Sequence, residues 1–258
     1  MTDIHYPYRG RLHPLWEHPG YETYDKFGNN PAVGTGGQED IWDYGGDLVY
    51  PTTGVGLSIS SSAAADTQEW EVEGLGWPDK TVRKELVSCN GQTKKDFGGL
   101  FWRVFRCQNM TETAAVGDVY IYQNTEGTVT AGVPQTASLV MAMVTIGAEQ
   151  TGMATFTVKK GKRAFLRHLH AYANLSATPA TAADANLFLL MRLPGYVWKV
   201  KKWFGVSSTG GTETEMSWDV PFPDFDAMPE YSEIRVRGIA SGKALDISID
   251  FQLEMVDM

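Results

Sequence analysis

Two histidines in the segment Arg167-His168-Leu169-His170 are the residues of this chain best suited to metal chemistry. Residues two positions apart in a β-strand point to the same face, so both imidazoles can reach one divalent ion. A third ligand would have to come from a distant strand, and no residue in the sequence marks it. We therefore interpret His168 and His170 as half-buried histidines on a sheet face, and we predict no metal site and no cofactor.

Clustered carboxylates are the second set of residues with a chemical use. They form two groups: Asp40, Asp43 and Asp47, and Asp219, Asp224, Asp226 and Glu230. Such groups can bind calcium or, as a facing pair, hydrolyse a glycosidic bond. The spacing does not match an EF-hand loop, and nothing in the sequence makes two of them face each other. We interpret both groups as solvated loops. Because the chain also lacks a Gly-x-Ser-x-Gly elbow, we predict no catalytic residues and no enzymatic activity.

The first 45 residues are rich in aromatic side chains, glycine and proline, yet show no helix or strand periodicity. Disordered tails are usually poor in aromatics, because such chains bury too little apolar surface to offset their ordering entropy. We interpret residues 1–45 as an extended, irregular arm that binds a partner surface, since Tyr and Trp bury large areas with few torsions to freeze. The predicted anchors are Tyr6, Tyr8, Trp16, Tyr21, Tyr24, Phe27, Trp42 and Tyr44.

Charge and hydropathy exclude several classes of partner. The 258 residues carry a net charge of −9, which argues against a nucleic-acid surface. The basic runs 159–163 and 199–202 are interpreted as solvated turns or strand ends. The longest apolar run, 139–144, is too short to cross a bilayer, and no signal peptide is visible. We expect a protein made in the cytoplasm, without a membrane partner. Cys89 and Cys107 could pair, but a cytoplasmic origin favours free thiols.

The elements that would position these residues are predicted to be strands. From Leu245 to Met255 apolar and polar residues alternate without a break, which is typical of an antiparallel strand with one buried face. Ten or more further short segments are rich in β-branched and aromatic residues and are separated by turn sequences such as Asn90-Gly91 and Pro194-Gly195. The sequence predicts an all-β, antiparallel, jelly-roll-like β-sandwich. We place this body at residues 46–258, and residues 124–134 are either a domain linker or a long hairpin.

Several segments of the body resemble virion structural proteins of tailed bacteriophages. The resemblance covers roughly residues 41–258 and is carried by 41–51, 60–66, 72–75, 102–106, 158–166 and 253–257. It implies a β-sandwich protein of the capsid cement or decoration type, located on the capsid surface of the virion. Its partners would be the major capsid protein and other copies of itself, with a trimer expected, because symmetry mates can cover exposed sheet edges.

Two alternatives come from other classes of protein. A glycan- or receptor-binding module of a head fibre or tail would use exposed aromatics such as Trp77, Trp198 and Trp203 as sugar platforms. A polysaccharide-degrading enzyme would use the carboxylates named above. A neck or tail adaptor is a variant of the capsid hypothesis.

Overall fold

The computed structural model describes residues 20–175, 183–208, 214–219 and 227–258. Within them the chain is nearly all β, so the predicted antiparallel β-sandwich class is confirmed. A short 3₁₀ turn covers Ala137–Leu139, and no helix in the described part has the length and hydropathy of a membrane span. The strands are β1 (Tyr21–Val33), β2 (Glu39–Asp40), β3 (Val55–Ser61), β4 (Glu69–Gly76), β5 (Val82–Ser88), β6 (Lys95–Asn109), β7 (Val119–Gln123), β8 (Val129–Thr130), β9 (Val133–Pro134), β10 (Val140–Val144), β11 (Thr155–Thr157), β12 (Lys162–Leu175), β13 (Ala183–Arg192), β14 (Lys199–Ser208), β15 (Thr214–Asp219), β16 (Glu233–Ser241) and β17 (Leu245–Asp257).

Eight of these strands form a jelly roll. One sheet has the order β1-β17-β12-β15, and the other has the order β11-β16-β13-β14 with β2 pairing beside β11 on β16. Numbering β1 and then β11 to β17 as strands 1 to 8 turns these orders into 1-8-3-6 and 2-7-4-5. That double Greek-key order is the jelly-roll arrangement found in viral capsid and lectin domains.

The core of the jelly roll follows from the alternation noted in the sequence. Four side chains of β17 are buried in this core: Ile247, Ile249, Phe251 and Leu253. Leu187 and Leu189 of β13, in the other jelly-roll sheet, belong to the same core. Burial of each such side chain stabilises the fold by about 1.5–3 kcal/mol. The polar residues between them lie on the outer faces of the two sheets.

A third sheet, which we call the inserted sheet, lies in the chain between β1 and β11, the first two strands of the jelly roll. Strands β3 to β10 provide it, in the order β10-β7-β3-β6-β4-β5, with β8 and β9 as a separate small hairpin. Its own core contains the fully buried Trp42, Trp70, Leu57 and Ile59. Residues 124–134 lie between β7 and β10, which are neighbouring strands of this sheet. They therefore connect two strands within one sheet.

The chain segments that lead into and out of the inserted sheet pair with each other, and we call this place the neck of the inserted sheet. Ala154 N donates to Ile41 O at 2.9 Å, and Asp43 N donates to Gly152 O at 2.8 Å. Phe105 of the inserted sheet belongs to the jelly-roll core, and the buried Arg103 side chain of β6 forms an ion pair of 2.7 Å with Glu233 of β16. The jelly roll and the inserted sheet are thus packed as one folded unit.

The segment 21–33 is where the structure departs most from the sequence prediction. It forms β1, which pairs with β17 from Tyr21 opposite Val256 to Val33 opposite Leu245. The prediction of an irregular arm is therefore wrong for these residues, and residues 1–19 lie outside the described part. The alternation of β1 was hidden because its buried positions include Lys26, Gly28 and Asn30, whereas the apolar Phe27 points outward.

Candidate functional site

The predicted aromatic anchors differ in how far the structure buries their side chains. Tyr6, Tyr8 and Trp16 lie outside the described residues. Tyr24 and Trp42 are buried in the chain's own cores, so the prediction that they contact a partner is wrong. Tyr21 and Tyr44 are half-buried. Of the anchors in the described residues, Phe27 is the one whose side chain is exposed, with 40% of its surface accessible.

Tyr24 shows why a tyrosine in this segment is internal. Its ring packs against Phe156 at 4.6 Å between centroids, and its hydroxyl donates to Glu73 at 3.3 Å. Burial raises the pKa of Tyr24, with the Glu73 carboxylate as the next cause. Trp42 is held in the same way, because its indole N–H donates to Gly46 O at 3.2 Å. Both aromatics therefore join parts of one chain.

The interpretation of the first group of carboxylates as a solvated loop is wrong for Asp40, which is buried and shares Arg237 with Asp47. Asp40 is buried and forms an ion pair of 3.0 Å with Arg235, and it also accepts from Leu48 N at 2.9 Å. Asp43 accepts from Gly152 N at 2.6 Å, and burial raises the pKa of Asp43 to about 7. Asp47 pairs with Arg237. These contacts give the three aspartates structural partners at the neck of the inserted sheet.

The second group of carboxylates lies largely beyond what the structure describes. Asp224 and Asp226 are outside the described residues, and Asp219 belongs to β15, for which the backbone pairing with β12 is described. Glu230 accepts from Gly161 N at 2.7 Å. No pair of facing carboxylates from this group is present among the described side chains.

The histidine pair has the orientation predicted from the sequence. The rings of His168 and His170 are 3.8 Å apart, on the outer face of the β1-β17-β12-β15 sheet. The structure adds a third group that the sequence did not identify. Asp250 of β17 lies opposite His170, with 3.7 Å between its Oδ1 and His170 Nδ1.

An exposed apolar and basic surface lies on β14, the edge strand of the second jelly-roll sheet. We call it the basic edge, and it consists of Tyr196, Val197, Lys199, Val200, Lys201, Lys202 and Trp203. Val197 and Trp203 expose 74% and 63% of their surface, and Trp203 lies opposite Phe188 of β13. A row of large apolar side chains at an unpaired strand edge is the usual mark of an interaction surface.

A surface of opposite charge lies at one end of the inserted sheet. We call it the acidic end, and it consists of Glu69, Met110, Glu112, Val116, Ile146 and Glu149, all of them exposed. Backbone and side-chain hydrogen bonds hold it together, from Met110 N to Glu69 O and from Asn109 Nδ2 to Glu149 Oε2, each 2.8 Å long. It combines apolar contact area with three negative charges.

A cleft of about 310 Å³ opens where the inserted sheet meets the jelly roll. Its lining includes Trp102, Tyr231 and Tyr196, with the Lys80 ammonium 4.2 Å from the Trp102 ring centroid. Arg192 and Arg103 both pair with Glu233 at its base. The cleft therefore offers aromatic faces and an excess of positive charge.

Sequence reasoning found parts of these surfaces. The run 199–202 was interpreted as a solvated turn or strand end, and the structure places it, exposed, at the start of β14. Trp203 was named as a sugar platform and is exposed as that hypothesis requires. Trp198 is half-buried, with the guanidinium groups of Arg192 and Arg235 at 4.7 and 4.2 Å from its ring centroid. The exposed β-branched residues beside the lysines were the available signal.

Comparison with known proteins leaves the family open. The sequence matches no protein-family model and no curated protein. Similar solved structures include the VP2 subviral particle of infectious bursal disease virus, at 11% identity over 92% of this chain and 72% of that chain, with a TM-score of 0.23. The T13 particle of the same virus gives 9% identity over 92% of this chain and 74% of that chain, with a TM-score of 0.23. Scores this low do not indicate a common fold.

Proposed function

We propose that this protein is a virion structural protein of the capsid decoration type found in tailed bacteriophages, with no catalytic role. The observation that carries the proposal is the basic edge, a row of exposed apolar side chains on and just before β14, the terminal strand of its sheet among the described residues. A monomer that worked alone would gain nothing from exposing Val197, Val200 and Trp203 at a strand edge, where aggregation is the hazard. The surface is suited to binding another protein.

The proposed occupant of the basic edge is the acidic end of a second copy. Both surfaces are apolar, and the lysines of one complement Glu69, Glu112 and Glu149 of the other. Such a contact uses two different patches and is therefore head-to-tail, and it gives a ring when its rotation closes. We expect a closed trimer.

Attachment to the capsid shell is assigned to residues 1–19. Tyr6, Tyr8 and Trp16 belong to the composition that indicated a binding arm, and β1, the first described strand, begins at Tyr21. Each aromatic that buries about 100 Å² would contribute roughly 2 kcal/mol before ordering costs. The major capsid protein is the proposed partner of this segment.

The copy-to-copy contact is tested by charge reversal. Lys199→Glu with Lys202→Glu on the basic edge is expected to convert the oligomer to monomer, and so is Glu112→Lys with Glu149→Lys on the acidic end. A mixture of the two variants should associate, because the edge of each variant is complementary in charge to the end of the other. Native mass spectrometry measures the masses. The matched control is Lys95→Glu with Lys243→Glu, exposed lysines outside both surfaces, which should leave the oligomer intact.

Two results would count against this contact. One is a wild-type protein that stays monomeric at concentrations up to about those of an assembling virion. The other is a charge-reversed variant whose mass distribution matches that of the wild type.

Shell binding is tested by deleting residues 1–19. We expect the deleted protein to keep its β circular dichroism, since β1 and its pairing with β17 are retained, and to lose binding to capsids stripped of this protein. Sedimentation of capsids with bound protein gives the occupancy. Full occupancy without residues 1–19 would refute the role assigned to them.

Glycan binding is a second candidate function, and the cleft between the sheets favours it. The exposed Tyr196 supplies a flat apolar face, and Lys80 and Arg192 would select an acidic sugar. Tyr196→Ala is expected to abolish quenching of tryptophan fluorescence by acidic oligosaccharides, whereas Trp203→Ala should leave it unchanged. Absence of quenching in the wild-type protein would remove this candidate.

A further inference from the structure

We propose that His168, His170 and Asp250 form a binding site for a divalent transition metal ion of the zinc type. One ligand atom from each of the three residues lies within 4.8 Å of the other two. All three side chains are half-buried on the outer face of the jelly-roll sheet, where they are accessible to an ion. The site is independent of the surfaces in the proposed function.

The pairing of two strands creates the site. β12 and β17 are antiparallel neighbours, with His170 opposite Asp250 and His168 opposite Gln252. A bulge between Leu166 and His168 lets Leu166 and Leu169 both face the core, so that His168 and His170 share the outer face. The pairing of β12 with β17 brings His170 next to Asp250, although 80 residues separate the two along the chain.

The backbone under the site is rigid. Leu169, between the two histidines, is fully buried, and Phe251, next to Asp250, is 1% exposed. The core therefore fixes both strands, and only side-chain torsions remain to be adjusted. Zinc bonds of about 2.0–2.2 Å place neighbouring ligand atoms roughly 3.4 Å apart in a tetrahedron. The observed 3.7 Å between His170 Nδ1 and Asp250 Oδ1 is already close to that value.

The ligand atoms select the class of ion. Two imidazole nitrogens and one carboxylate oxygen suit Zn²⁺, Co²⁺, Ni²⁺ or Cu²⁺, whereas Ca²⁺ and Mg²⁺ prefer a shell of oxygens. Three protein ligands leave a fourth position for water at the exposed surface. The bound ion would tie β12 to β17 and stabilise the folded state, because a ligand that binds only that state shifts the unfolding equilibrium.

Calorimetric titration of the full-length protein with zinc chloride, after treatment with a chelator, tests the site. The chain has five histidines, and the other three are His5, His13 and His18. The variant in which these three are changed to Gln is the matched control and should bind one Zn²⁺ per chain as the wild type does. The variant His168→Gln with His170→Gln should lose binding, with affinity falling by more than about tenfold.

Asp250→Asn provides a second, nearly isosteric test that does not depend on the fold of the histidine variant. We expect its zinc affinity to fall by about tenfold or more and its zinc-dependent rise in melting temperature to shrink, with the circular dichroism spectrum unchanged. The proposal is overturned if the wild type binds no Zn²⁺ at 100 µM, used here as a roughly saturating trial concentration for a weak site. It is equally overturned if the His5, His13 and His18 variant loses binding while the Asp250→Asn protein retains it.

Discussion

At the scale of single residues, Lys26 shows how a buried charged group is held by a backbone partner. Lys26 of β1 is 5% exposed, and its Nζ donates to Phe105 O at 2.5 Å. Phe105 sits at the irregularity between Val104 and Arg106 in the pairing of β4 with β6. Lys26 therefore donates a hydrogen bond to the backbone carbonyl at this bulge.

Lys26 should give the stability a pH dependence above neutrality. Burial lowers the pKa of Lys26 to about 7, with the charge of Arg106 as the next cause. In the unfolded chain the lysine keeps its proton up to the ordinary lysine pKa near 10.4. Between about pH 7 and pH 10.4 the unfolded state therefore binds more protons than the folded state. Stability therefore rises with pH, by up to about 2 kcal/mol between about pH 7 and pH 9. Urea unfolding at the two pH values measures it.

The comparison variant for this effect is Lys26→Met. We expect it to lose the rise in stability over the same window, because the group responsible for the rise is gone. Lys243→Met, at an exposed position, should keep the wild-type dependence. An unchanged slope in Lys26→Met would show that another group causes it.

At the scale of elements, the sequence predicted strands whose inner face is apolar and missed those whose inner face is polar. β17 was found because every inward residue from Leu245 to Met255 is apolar. β1 was missed because Lys26, Gly28 and Asn30 occupy its inward positions. Strand pairing could not be predicted at all, since it joins segments far apart in the chain. This is why His168 and His170 were recognised but Asp250 was not.

Gly28 of β1 gives an element-scale prediction. A Cβ at this position would lie 2.3 Å from Ala154 N and 2.5 Å from Ile41 O, the two atoms that close the neck of the inserted sheet. Gly28→Ala is therefore expected to reduce the free energy of unfolding by at least about 2 kcal/mol, because the clash is with backbone. Denaturant titration measures the loss.

Gly36→Ala is the matched control, since nothing lies within 4 Å of a Cβ there. It should change stability by no more than about 0.5 kcal/mol. Equal stability of both variants would mean that β1 is not pressed against the neck.

At the scale of the whole molecule, the jelly roll and the inserted sheet have separate cores but share residues. Leu75 and Phe105 of the inserted sheet pack in the jelly-roll core, and the Arg103–Glu233 ion pair is buried between the sheets. Removing one partner of such a pair leaves the other charge buried without a partner. Separating the jelly roll from the inserted sheet therefore costs free energy. The two parts should therefore unfold together.

Scanning calorimetry tests this cooperativity. We expect one transition whose calorimetric and van't Hoff enthalpies agree. Phe105→Ala should lower the midpoint of that single transition, with a loss of about 3–5 kcal/mol. Two separated transitions in the wild type would show that the inserted sheet melts independently.

The position of β17 sets the order of events as the chain is synthesised. β17 follows every other described strand in the chain, yet it lies between β1 and β12 and pairs with both. A nascent chain on the ribosome therefore carries β1 and β12 without their common neighbour until translation has passed Asp257. The jelly roll closes only after that point, since pairing of distant strands waits for both to exist. Unfinished chains thus cannot offer a completed sheet to a growing assembly.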